Sequence, residues 1–163
     1  MIPNLRNMTS LYLVREDAVL CLYRVGSRVA NNKYVGSCGG HFEKEELNDP
    51  YGCILREMKE ELGITEEELE GLSLRYITHR LTKGEIRQNY YFFAHLKDEK
   101  DLQSNEGMLR WVPFAEIPAL SMPVSAKHMI LHYLETGRFT DSLYAGITEE
   151  SGTKFTQMKE FDG

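Results

Sequence analysis

Residues 39–64 read GGHFEKEELNDPYGCILREMKEELGI, and the way this stretch folds decides what the surrounding chain can be. Asp49 followed by Pro50 is a helix start, a capping carboxylate before a residue whose missing N–H costs nothing at the first helical position. Gly63 after Leu62 is a stop signal. A helix is therefore predicted over residues 50–62, and Tyr51, Ile54, Leu55, Met58 and Leu62 carry the three-and-four spacing of its buried stripe. At about 100° per residue, Glu57, Glu60 and Glu61 share one flank of that helix, at the border between core and solvent. Like charges so spaced destabilise an isolated helix by roughly 0.2–0.5 kcal/mol per pair. Three carboxylates directly after a Gly39-Gly40 turn are either a solvated acidic face or a set compensated by a cation. Magnesium suits the second case, because it takes oxygen ligands and binds through a few carboxylates together with substrate phosphates.

REMKEELGI, residues 56–64, resembles the second half of the Nudix box, whose pattern is Arg-Glu-apolar-any-Glu-Glu-any-Gly-apolar, at every specified position. Gly40 and Glu46 match the glycine and glutamate of the first half, with five residues between them. Nine residues separate Glu46 from Arg56 where the family usually has seven. The two additional ones are expected in the Leu47-Asn48-Asp49-Pro50 turn, ahead of the helix.

The resemblance implies roles. Glu60 and Glu61 match the box glutamates that ligate the metal, and Glu57 the one that serves as base or further ligand. The carbonyl of Gly39 matches a backbone ligand, and a glycine there lets the backbone approach an ion closely. Arg56 matches an arginine that orients the carboxylates through paired hydrogen bonds, the alternative being a solvent-facing helix arginine. Glu106, in NEGMLRWVPF ahead of Trp111, stands where a further ligand often arises, the alternative being simple solvation. Gly40 and Glu46 complete the box as substrate-binding and supporting positions. The implied cofactor is Mg2+, with Mn2+ as a substitute.

LCLYRVGSRVANNKYVGSCGG, residues 20–40, resembles the approach to the box in the 8-oxo-dGTP diphosphatases of the family. Arg24 falls near an arginine that touches phosphate in some of them, and Tyr34, Phe42, Tyr90 or Tyr91 could stack on a base or belong to the core. The sequence departs from the pattern at Cys38, where proline is frequent, and in AEIPALSMPVS, which lacks the paired aspartates by which one branch reads an oxidised base. The implied reaction is magnesium-dependent attack of water on a nucleoside triphosphate, an oxidised purine such as 8-oxo-dGTP included, releasing nucleoside monophosphate and pyrophosphate. Cleavage of ADP-ribose or a nucleotide sugar is the enzymatic alternative. A non-catalytic nucleotide sensor is the alternative of another class, and it would be expected to have lost a box glutamate.

The rest of the chain is compatible with one α/β domain over residues 1–163, its core at about 8–136 and an extension from 138. At 163 residues it can bury a core without disulfides. Cys21, Cys38 and Cys53 are odd in number and lack zinc-like spacing, which reads as reduced thiols of a cytoplasmic protein. No apolar run approaches a membrane span. The net charge of −6 argues against a nucleic-acid polymer as partner and leaves a small nucleotide. Hairpins are predicted from 8–15 with 18–25 and from 72–81 with 86–97, a loop at 26–33, short strands near 34–37 and 109–113, a helix over 123–136, and a small hairpin around Glu150-Ser151-Gly152. Strands broken by two packed helices make an αβα sandwich on a mixed sheet, the fold of Nudix domains. His128 and His132, four apart on the second helix, read as structural, and His41 is placed to approach phosphates. The tail from Phe139 is expected either to cover the site or to form a homodimer contact.

Overall fold

The computed structural model describes residues 2–26 and 31–161, so the loop expected over 26–33 is seen only at its ends. Its longest strands are β1 (Asn4–Arg15), β5 (Leu69–Thr82) and β6 (Glu85–Leu96). The hairpin signals hold: β1 turns at Glu16, in the left-handed region with φ 48°, into β2 (Ala18–Arg24), and β5 turns through Lys83-Gly84 into β6. β3 (Lys33–Val35), β4 (Cys38–His41) and β7 (Gly107–Pro113) complete the middle of the chain. β8 (Tyr144–Glu149) and β9 (Gly152–Gln157) form the expected terminal hairpin. Among the described residues these make one mixed sheet, ordered β3-β2-β1-β6-β5-β8-β9, with β4 on β1 and β7 on β2. The β1–β6 and β5–β8 pairs are parallel and the others antiparallel.

Side chains alternate across a strand, and that alternation divides the core in two. Leu11 and Leu13 of β1, with Phe92 and Ala94 of β6, pack under helix α1 (Pro50–Leu62) against Ile54, Met58 and Leu62. Tyr12 and Val14, with Tyr91 and Phe93, face the other way, toward Met129, Ile130 and Tyr133 of helix α2 (Val124–Glu135). The αβα sandwich follows. Both ends of α1 lie where their caps put them: Asp49 accepts the Gly52 N–H at 2.8 Å, and Gly63 closes the helix at φ 67°.

Two expectations are corrected. Gly39-Gly40 is no turn: both residues belong to β4, with Gly39 opposite Ser10 and Gly40 opposite Thr9. The cause is the length of β1, which extends past the end of its pairing with β2 and leaves an edge at Met8–Leu11 that β4 fills. The buried stripe of α1 is also rotated. Cys53 and Glu57 are buried while Tyr51 is exposed, because β4 covers the flank that the helix pattern alone puts at the border between core and solvent.

The terminal segment is tied into the fold by a buried cation. Arg75 on β5 donates to the carbonyls of Ser142 at 3.1 Å, Gly137 at 2.5 Å and Thr140 at 2.6 Å. His132 bonds Tyr76 Oη at 2.7 Å and His128 bonds Thr153 Oγ1 at 2.8 Å, so both histidines fasten the second helix to the sheet and the hairpin. Replacing Arg75 with Met takes the guanidinium away from three buried carbonyls, of which Gly137 keeps the Thr140 N–H at 3.2 Å. Urea unfolding is expected to register a loss of about 3 kcal/mol or more, with a native-like circular dichroism spectrum below the transition.

Candidate active site

Glu57 is buried where a carboxylate ordinarily is not, and the reason lies across from it on β4. A Cβ on Gly40 would collide with the Glu57 carboxylate, and one on Gly39 with the carbonyl oxygen of Thr9. Gly40 thus lets α1 lie against β4 with Glu57 between them, and Gly39 lets β4 close on β1. The Gly39 N–H donates to Glu61 Oε2 at 3.1 Å, which holds the second carboxylate beside the first.

These groups line a cavity of about 360 Å³ between α1 and the first turn of α2. Gly39, Gly40, Glu57, Glu61, Arg24 and Glu106, six of the positions singled out in the sequence, share its wall. Arg24 and Glu106 are paired with each other at 3.1 Å, so the candidate phosphate contact and the candidate loop ligand form one ion pair at the cavity wall. His41 lines it too, bonded through Nε2 to Arg6 at 2.7 Å.

Arg56 stands behind this wall. It grips Glu46 with two nitrogens at 2.7 and 2.8 Å, and reaches Glu57 at 2.9 Å, Glu60 at 3.0 Å and the carbonyl of His41 at 3.2 Å. The longer spacer does not displace Glu46: the extra length is taken up by the turn of Leu47 and Asn48 after a short 3-10 segment at Lys44–Glu46. Glu60 is not part of the cavity lining, and its side chain is 56 % exposed. Tyr34 lies outside the lining as well, its ring 4.8 Å from that of Tyr23 and beneath the Arg110 guanidinium. Phe42 and Tyr90 pack on each other, and of the four aromatic candidates Tyr91 alone borders the cavity. None of the described residues from 139 onward lines it.

Electrostatics divides the glutamates into two kinds. Glu46 is pulled down to about 2 by its hydrogen bonds from Arg56. Burial pushes Glu61 up to about 7, against the opposing pull of the Gly39 N–H, and burial also raises Glu57 despite Arg56 beside it. Two neighbouring carboxylates with raised proton affinity are a pair that a cation would relieve. Among the described residues no three His, Cys, Asp or Glu side chains converge into a cage for an ion. The donors that do meet, two carboxylates and the glycine backbone on an open cavity, fit a hard cation that retains water and substrate oxygens. The space vacated by the missing Gly40 side chain is filled by one of those carboxylates.

Sequence reasoning missed Arg80, Arg87 and Asn89, which line the far part of the cavity. A signal was present: once the turn is centred on Lys83-Gly84, strand pairing sets Arg80 opposite Arg87 on one face.

Residues 5–133 match the family model described as the NUDIX domain. The chain belongs to that family, and its fold and box are those of a Nudix hydrolase. A MutT protein from Bacillus halodurans is 25% identical, with 94% of this chain and 98% of that one covered and a TM-score of 0.63. An Ap4A hydrolase from C. elegans, in a binary complex, is 18% identical, with 80% and 96% covered and a TM-score of 0.65. The NUDIX domain of Shewanella oneidensis NrtR, complexed with ADP ribose, is 15% identical, with 86% and 90% covered and a TM-score of 0.60. No helix among the described residues is long and apolar enough to cross a membrane.

The raised Glu61 value has a measurable consequence for the protein without metal. Its carboxyl holds a proton more tightly folded, at about 7, than at the ordinary 4.5 of the open chain. Its contribution to stability is therefore complete below about pH 4.5 and is lost as pH rises through about 7. In chelator, the urea midpoint of the wild type relative to Glu61→Gln is expected to fall between about pH 5 and 8, and magnesium is expected to restore it.

Proposed function

We propose that this protein hydrolyses a phosphoanhydride bond of a nucleoside triphosphate with Mg2+ as cofactor, releasing nucleoside monophosphate and pyrophosphate. Mn2+ is the natural substitute. The observation that carries the reading is the meeting of Glu57 and Glu61 with Gly39 and Gly40 in one cavity, backed by the Arg56 clamp. Glu61, Glu57 and the Gly39 carbonyl would hold the ion, with Glu60 a third carboxylate tied to Glu57 through Arg56 and Glu106 a further oxygen donor. When bound, magnesium supplies charge neutralisation on the phosphoryl oxygens and acidifies water.

The side chains do the remainder. Glu57, with proton affinity raised by burial, accepts the proton of the attacking water, and Arg56 holds that carboxylate in place from behind. Arg24 places a cation at the cavity wall for the phosphate chain, and Gly40, without a side chain, makes room at that wall for the Glu57 carboxylate. Tyr34, packed away from the cavity beside β2, would act on the base only from its margin. The resemblance of residues 20–40 to the 8-oxo-dGTP diphosphatases makes an oxidised purine triphosphate the first substrate to try, with ADP-ribose and nucleotide sugars as the competing class.

A panel of nucleoside triphosphates, oxidised nucleotides and nucleotide sugars, assayed for phosphate or pyrophosphate release, tests the reading. Activity should vanish in chelator and return with magnesium. Glu57→Gln is expected to lower kcat by about 10²–10⁴-fold. Glu60→Gln and Glu61→Gln should abolish turnover with the circular dichroism spectrum unchanged, and full activity in either would remove the metal model. Nucleotide binding without turnover under any divalent ion would make the protein a sensor.

A further inference from the structure

Strand register places three arginines side by side. Arg6 on β1 pairs with Arg87 on β6, which pairs in turn with Arg80 on β5. All three share the sheet face of Tyr12, Tyr91 and Tyr76, from which they are separated by even numbers of residues with no bulge between. Like charges directly opposite one another destabilise a sheet. One carboxylate answers two of the three guanidiniums: Glu85 lies 3.5 Å from Arg6 and 3.4 Å from Arg87. Among the described residues Arg80 has no ion pair or hydrogen bond through its side chain, yet with Arg87 it lines the cavity that holds Glu57 and Glu61. Val124, Ser125 and Ala126, the first turn of α2, line it too and add the positive end of a helix to the same region.

The cavity thus has a carboxylate end and a guanidinium end. Gly39 pairs with Ser10, and Arg6 begins the arginine row four residues earlier on β1, roughly 13 Å away along the strand. Extended arginine side chains narrow that gap to the reach of a short polyphosphate. An unesterified phosphate carries about −1.5 to −2 charges and three acceptor oxygens, which two guanidiniums engage through parallel hydrogen bonds. Esterification of that phosphate removes a charge and turns one terminal acceptor oxygen into a bridge.

We infer that Arg80 and Arg87 form a subsite for the free terminal phosphate of the substrate, so that a nucleoside triphosphate is selected over a nucleoside diphosphate sugar. This rests on the phosphoanhydride-hydrolase reading of the cavity and adds the substrate class to it. Asn89, one step along the same face, supplies a neutral hydrogen-bonding partner beside the pair.

The test compares kcat/KM for a triphosphate and a diphosphate sugar of the same base, with magnesium. Wild type should prefer the triphosphate. Arg80→Ala and Arg87→Ala should each cut the preference by about tenfold or more, and Arg80→Lys should retain part of it. An unchanged ratio, or a wild-type preference for the sugar, overturns the subsite. If neither compound is cleaved, the hydrolase reading fails separately, and calorimetric titration of the magnesium-free protein with inorganic pyrophosphate decides the subsite. Binding at least tenfold weaker in Arg80→Ala than in wild type upholds it. Equal binding, or none to the wild type, overturns it.

Discussion

Between α1 and β4 the backbones approach until the Glu57 carboxylate fills the space that a Gly40 side chain would occupy, and much of the molecule is arranged around that contact. It buries a carboxylate on a helix whose pattern alone would leave it at the solvent border. It also brings the Gly39 N–H within 3.1 Å of Glu61. Desolvating two acids costs free energy, and it is offset on one side by Arg56 and on the other by that backbone donor. What remains uncompensated faces the cavity.

Arg56 makes the arrangement rigid. A guanidinium is planar and always charged, so its two bonds to Glu46 fix its orientation before it reaches Glu57 and Glu60. Glu46, held down near 2, stays ionised far into acid and keeps that anchor when the cavity carboxylates have taken up protons. Charges of opposite tendency thus occupy the two sides of one helix.

Much of this was legible in the sequence, for local reasons. The limits of α1 follow from Asp49, Pro50 and Gly63, and the two long hairpins from their turn residues, because caps and turns are settled within a few residues. Helix spacing grouped Glu57, Glu60 and Glu61 after the glycine pair, and the resemblance to the Nudix box supplied Arg56 and the role of Gly39. What was not legible depended on distant partners. The rotation of the α1 stripe, with Cys53 inward and Tyr51 outward, requires knowing that β4 docks on its flank. That β4 is a strand requires knowing that β1 outruns β2. Glu60 and Tyr34 carry plausible residue types, yet helix rotation and the pairing of β3 with β2 place them off the cavity. The arginine row spans three strands, one from the start of the sequence and two from its middle, which no short window contains.

The terminal hairpin has a consequence of another kind. Without β8, the run Tyr76–Arg80 of β5 would offer unpaired N–H and C=O groups to any neighbouring molecule, a template for intermolecular strand addition. β9 then carries the open edge, and its six residues include an exposed lysine, Lys154. The extension therefore satisfies the backbone of β5 and moves the open edge of the sheet outward, to a strand that bears a charge.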